Sequence, residues 1–384
     1  MVDIADTAIV RRAPTRDAVA SRAPASIGHA AHGPLAAIAA EPWRSLAKRA
    51  IEPSGYYLPE WEQAVDASAR GRSGVFALSA WSSAAAERLT GLIPVIPMWR
   101  AYKIPLPAFV SADPYGTLCT PLLDRDNAED AALQLMRQAR EAGAHALILR
   151  AVTLDGAAIR AFREELRRDG LRPLLLESHL RAALDARQDA DELLREALGA
   201  KKLKDLRRQR NRLAEHGEVS FHIARAPAEV AMAAEIFLEL EASGWKAQRG
   251  TALLQDSGDA TFVRRATVEL AATGNCEIVT LRAGKVPVAA GVVLRHQDRA
   301  FFFKLGVDER FAKLSPGVQL TLDLTRYLCA DPAIASADST AAPDHPMINP
   351  IWRGRLAIGD VLIPLQRRDP VVPLIRASLA VRDM

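Results

Sequence analysis

Residues 276–307 read CEIVTLRAGKVPVAAGVVLRHQDRAFFFKLGV, and this stretch decides the fold. Three apolar runs, Cys276–Arg282, Val286–Arg295 and Arg299–Gly306, are separated by Ala283-Gly284 and Gln297-Asp298. Strand-forming runs broken by such short turn-forming pairs predict an antiparallel three-strand meander. Pro316 and Gly317 then open a helix that runs to Ala330, because proline at the first helical position sacrifices no intrahelical hydrogen bond. Ile334–Asp338 reads as a return strand and Val361–Leu365 as a last one. Upstream, the alternating run Val219–Ile223 is a strand, followed by helices over Pro227–Ser243 and Asp259–Thr273. The order β–α–α–β–β–β–α–β plus a final strand defines a mixed α/β domain with its ligand site where neighbouring strands diverge.

The first half repeats the mixture. Strands are expected at Gly74–Leu78, Leu92–Ile96, Ala146–Leu149 and Leu174–Leu176, with helices over Ala128–Ala142 and Ile159–Asp169. Glycines 143 and 170 stop those helices. Residues 1–40 are Ala/Pro/Arg-rich without periodicity and are expected to be a disordered leader, order starting near Pro42-Trp43. Two tandem domains follow from the 384-residue length, at 41–190 and 191–370, with a tail at 371–384. Between the domains lies a helical stretch, Asp189–His216. It crowds Lys201, Lys202, Lys204, Arg207, Arg208, Arg210 and Arg212 around a thin seam of leucines. That run is either a solvated helix face, an anion site for cofactor phosphates, or a membrane or nucleic-acid patch.

Composition excludes several classes. A net charge of +4 and 5% aromatic residues fit neither a strongly basic nucleic-acid protein nor a base-stacking platform. Cys119, Cys276 and Cys329 are scattered, with no Cys/His cluster for zinc and no disulfide framework, which suits a reducing cytoplasmic setting. The longest apolar run, Leu92–Met98, falls far short of the ~20 residues needed to span a bilayer.

Local sequences resemble the GNAT acetyltransferase family, in its CelD-type branch associated with cellulose biosynthesis. The likeness is carried by Lys201–Arg208, by Glu239–Lys246 with Arg249-Gly250-Thr251, and by Phe303–Asp308 running to Leu314–Gly317. Ala337-Asp338-Ser339 and Pro343–Asn349 with Trp352 complete it, and Asp113–Gly116 echoes it more weakly in the first half. It implies two tandem GNAT-like domains, each a mostly antiparallel sheet flanked by helices, the first degenerate and forming one wall of the acceptor cleft. It also implies an N-acyltransferase using acetyl-CoA or another acyl-CoA, without a metal, on an amine acceptor such as a polysaccharide precursor. FemAB-type aminoacyl transferases share the double arrangement, and a non-catalytic accessory role is a further alternative. The usual phosphate-binding loop is replaced here by Lys313-Leu314-Ser315-Pro316-Gly317, whose proline removes one backbone donor.

Acyl transfer needs the donor held, its carbonyl polarised and the amine deprotonated. For holding, the resemblance and the helix-start chemistry point to Arg310, Lys313, Ser315, Gly317 and Val318, since a helix N-terminus presents free N–H groups. Leu305, Gly306 and Val307 are the expected polarising edge, with a bulge at Gly306. Asp338 and His345 are the expected bases, with Glu241 the other candidate. Trp245, Lys246 and Asp344 are expected to line the acceptor pocket.

Overall fold

The computed structural model describes residues 32–82, 88–243, 250 and 252–382. The first half contains β1 (His32–Pro34), α1 (Ala40–Lys48), α2 (Pro59–Ser68), β2 (Phe76–Trp81), β3 (Leu89–Pro97), α3 (Met98–Tyr102), β4 (Ala108–Ser111) and β5 (Leu122–Leu123). It continues through α4 (Ala128–Glu141), β6 (Ala146–Thr153), α5 (Ala157–Arg168) and β7 (Leu174–Asp185). The long α6 (Ala190–Ala214) leads to β8 (Val219–Ala224), α7 (Pro227–Ala242), α8 (Ser257–Ala272) and the meander β9 (Cys276–Ala283), β10 (Val286–His296) and β11 (Arg299–Val307). The chain ends with α9 (Pro316–Ala330), β12 (Ser336–Asp338), β13 (Gly354–Pro364) and α10 (Val371–Arg382).

The meander is as the sequence predicts, but the halves are not separate sheets. Strand order is β1-β2-β3-β4-β6-β13-β7-β12-β11-β10-β9-β8, one continuous mixed sheet. The last strand of the chain, β13, lies between β6 and β7 of the first half, and β7 in turn pairs with β12 of the second. Each half therefore closes the other's sheet. This exchange explains two expectations that were too short. β7 runs to Asp185, well past Leu176, and β13 starts at Gly354 rather than Val361. Both extensions carry polar residues, such as Arg181 and Arg355, that mask a strand when only apolar runs are counted.

Order also begins earlier than expected. His32–Pro34 pairs with Phe76–Leu78, and Leu35 is fully buried, so residues 32–40 belong to the fold; the rest of the leader lies outside the described residues. At the other end, the residues expected as a tail form α10, which buries Val372, Ile375 and Leu379. Inside α6, Gly199 has φ 70° and ψ 163° and splits the helix into two segments. Only glycine adopts that conformation without strain.

One core spans both halves. Trp43, Tyr56, Tyr57 and Trp61 pack with Phe237, Phe262, Leu294 and Phe301. Trp61 meets Phe262 and Phe303 edge-on, each at 4.9 Å between ring centroids. His296 bolts the same seam: its Nδ1 accepts from the Ser54 N–H at 2.8 Å and its Nε2 donates to the Ala47 carbonyl at 2.9 Å. Burial holds this imidazole below its ordinary value, so the fold binds it neutral. The unfolded chain takes up a proton near pH ~6.5 that the folded one refuses, so stability is complete above that pH and falls as pH drops below it. Urea titrations at pH 7.5 and 5.5 should show the loss for the wild type and a flatter pH dependence for His296→Asn.

Candidate functional site at the splayed strands

β11 and β12 pair in parallel only at Arg299–Ser336, Ala300–Ala337 and Phe301–Asp338. Beyond Phe301 the strands part. Thr340 turns away in a left-handed conformation (φ 49°), and its Oγ1 donates to the Phe302 carbonyl at 2.6 Å, closing the apex of the V. On the other edge, Val293 pairs with Phe302 and Val292 with Lys304, so Phe303 is a bulge residue. A bulge disrupts the local ladder and re-aims the strand. The expected bulge lay at Gly306, but Gly306 pairs regularly with Ala290 and is buried.

The close approach that Gly306 permits is made by protein. A Cβ there would sit 2.6 Å from the backbone nitrogen of Glu241, so the glycine lets α7 lie flat on β11. Gly306→Ala should therefore force helix and strand apart, costing about 1–3 kcal/mol as a lower denaturation midpoint.

A cavity of about 300 Å³ opens beside the V, lined by Tyr56, Tyr115, Thr117, Phe303, Lys304 and Thr340, with Arg72 and Asp113 at its rim. Tyr56 is fully buried, and its hydroxyl lies beside Thr340 without meeting any partner at hydrogen-bonding geometry; burial pushes its pKa well up. Gly116 packs against the Tyr56 ring so closely that a Cβ would lie 2.4 Å from Cδ1. Tyr115 donates to Asp259 at 2.7 Å, and burial together with that carboxylate holds the phenol protonated. Arg72 stacks on Tyr115 at 4.2 Å and pairs with Asp113 at 2.9 Å. The Lys304 ammonium stands 5.8 Å from the Tyr115 ring centre.

Beneath the cavity lies a buried ion pair between Arg181 and Asp338, 0% and 1% exposed. Asp338 Oδ1 also accepts from the Thr340 N–H at 2.9 Å. Arg181 donates to the Thr117 carbonyl at 2.6 Å, and Thr117 Oγ1 donates to the Thr340 carbonyl at 3.0 Å. One network thus joins β7, the loop after β4 and the segment after β12.

This geometry redistributes the expected roles. Asp338 does sit at the strand end, yet its carboxylate is locked by Arg181 and does not face the cleft as a free base. Glu241 is buried and accepts from the Leu253 N–H at 2.9 Å. His345 is half-buried, its Nδ1 accepting from the Met347 N–H at 3.3 Å, and burial lowers its pKa. No hydrogen bond joins it to Asp338 or to the exposed Asp344 among the described residues. Trp245 and Lys246 lie outside the described residues.

At the start of α9, Ser315 is left-handed (φ 52°) and its side chain caps nothing. The first-turn N–H groups of Gly317 and Val318 have no intrahelical partner. Gly317 is buried, and a Cβ there would meet Leu305 at 3.0 Å, Val307 at 3.1 Å and Met347 at 3.4 Å, so side chains occupy the space expected for a cofactor backbone. Val307 offers its carbonyl to Ser243 at 3.1 Å. Lys313 is exposed, whereas Arg310 is clamped on Asp308 at 2.7 Å, its charge already met and the carboxyl held below its usual range.

Sequence reasoning missed Tyr56, Thr117, Arg181 and Thr340, which are isolated polar residues far apart along the chain. Only Asp113–Gly116 and Phe303-Lys304 carried a signal, as fragments of the family likeness.

Residues 200–344 match the family model described as an acetyltransferase (GNAT) domain. No curated protein matches the chain. Among solved structures, the crystal structure of FemX superposes with a TM-score of 0.57 at 11% identity, covering 88% of this chain and 98% of that one. The C-terminal domain of a putative lysylphosphatidylglycerol synthetase from Agrobacterium fabrum gives 0.52 at 14% identity, over 88% and 96%. A conserved protein of unknown function from Bacteroides thetaiotaomicron VPI-5482 gives 0.52 at 9% identity, over 85% and 98%. Identities this low establish a shared fold alone, here a mixed α/β architecture built on one large sheet. Among the described residues, no helix is long and apolar enough to cross a membrane, and no group of three or more His, Cys, Asp or Glu side chains could hold a metal ion.

Proposed function

We propose that this protein is an acyl-CoA-dependent N-acyltransferase of the CelD-type branch, acting on the amine of a polysaccharide precursor in the cytoplasm. The observation that carries the proposal is the V between β11 and β12, with a bulge at Phe303 and a cavity at its mouth. Residues 191–370 supply the donor side, and residues 41–190 form the acceptor wall through Tyr56, Tyr115 and Thr117.

The present residues fit a thioester donor. With Gly317 covered by Leu305, Val307 and Met347, the Val318 amide and the exposed Lys313 are the groups at the start of α9 that suit phosphate oxygens. Acyl-CoA supplies an activated acyl carbonyl when bound. The bulge at Phe303 re-aims β11 beside the V, where a backbone donor to the developing oxyanion contributes about 3 kcal/mol. As the C–N bond forms and the C–S bond breaks, the neutral Tyr56 hydroxyl gives its proton to the departing thiolate and regains one from the acylated nitrogen. Asp113, Asp259 and Asp338 already accept from cations, hydroxyls or backbone N–H groups, so the amine enters in its neutral form. The rate should then rise about tenfold per pH unit below the pKa of the acceptor amine and level off above it. A plateau reached near pH 6–7 would instead assign the base to His345.

The test is thiol release from acetyl-CoA with a panel of amino-sugar nucleotides, beside transfer from aminoacyl-tRNA. Release with an amino sugar supports the proposal. Aminoacyl transfer would move the protein to the FemAB type, and inactivity with saturable CoA binding would make it an accessory protein.

A further inference from the structure

On the other side of α9 lies a second concavity of about 280 Å³, between that helix and the two segments of α6. No residue lines both this groove and the cleft. Its walls carry Arg195 from the segment before the Gly199 break, Arg207 and Arg210 from the segment after it, and Arg326 from α9. Arg210 is paired with Asp323 at 2.8 Å, and Arg326 with Asp191 at 2.9 Å. Arg195 and Arg207 have no ion-pair partner among the described residues. Four guanidiniums against two carboxylates leave two positive charges facing one pocket. Its floor is apolar, with Leu206 and Leu322 among the leucines.

A solvated basic face turns its charges outward and apart, as Lys201, Lys202 and Lys204 do here. Arg195 and Arg207 are also exposed, but the Gly199 break lets α6 bend so that these two residues, twelve apart along the chain, line the same groove. Converging guanidiniums match the doubly charged, three-oxygen face of a phosphomonoester better than a carboxylate, since each fork can donate two parallel hydrogen bonds. The volume is at the lower end for small-ligand sites, ~300 Å³. We propose that this groove is a phosphomonoester-binding site, with Arg195 and Arg207 as the principal donors and Arg210 and Arg326 as the positioned flank.

The site does not depend on acyl transfer. It is tested by titrating inorganic phosphate into the full-length protein, following the Gly199 amide and arginine side-chain resonances by NMR. Saturable binding is expected, with Arg195→Ala and Arg207→Ala each weakening it about tenfold while Lys201→Ala leaves it unchanged. Equal binding by all these proteins, or shifts that never saturate, would overturn the proposal. Unaltered melting temperatures exclude a folding defect as the cause of any loss. Two competitors then identify the source of the phosphate. Displacement by coenzyme A but not by 3′-dephospho-coenzyme A assigns the groove to the ribose phosphate of the cofactor. Displacement by neither supports a separate phosphorylated ligand.

Discussion

Asp338→Ala should destabilise the protein by about 3–5 kcal/mol, because it strands the fully buried Arg181 guanidinium without its counter-ion. Arg181 Nε already lacks a partner, so the neighbourhood holds no spare acceptor to absorb the charge. Denaturant titration reads the loss directly. The double variant Arg181→Met/Asp338→Leu should recover much of it, since replacing both members of a buried pair by apolar groups is often close to neutral. A general base would behave differently, with Asp338→Asn abolishing turnover in a protein as stable as the wild type. The two roles therefore separate cleanly on stability alone.

Tyr56→Phe is the second large effect, in the rate rather than the stability. If the phenol protonates the leaving thiolate, kcat should fall about 10²–10⁴-fold, the usual contribution of a positioned acid. Stability should hold or rise slightly, because the lost hydroxyl is buried without a hydrogen-bond partner. Steady-state assays of the two proteins over pH 6–9, beside their urea curves, check both statements. An unchanged kcat would remove Tyr56 from the chemistry.

These two residues also show where reading from sequence succeeds and where it stops. The meander from Cys276 to Val307 was predictable because its periodicity is local: short turns join strands that pair with their sequence neighbours. The insertion of β13 between β6 and β7 was not, since no local pattern states which distant strand a strand will pair with. Glycines misled in an instructive way. Gly306 and Gly317 do mark close approach, as expected of glycine at such places, but the approaching groups are α7 and the side chains of β11 and Met347. Asp338 was visible as a lone acid at a strand end, while Arg181, its partner 157 residues earlier, sat in a polar stretch that showed no strand pattern. Tyr56 and Thr117 reach the cavity only because the first half packs against the V through Trp61 and Phe262, a contact made by tertiary structure.

The claim on which the mechanism rests is that the gap between β11 and β12 admits the thiol arm of a coenzyme. Amide NMR of the protein titrated with coenzyme A tests it most directly. Saturable shifts at Phe303, Lys304, Gly317 and Val318 are the predicted result. Absence of any shift at these amides at millimolar coenzyme A would contradict it.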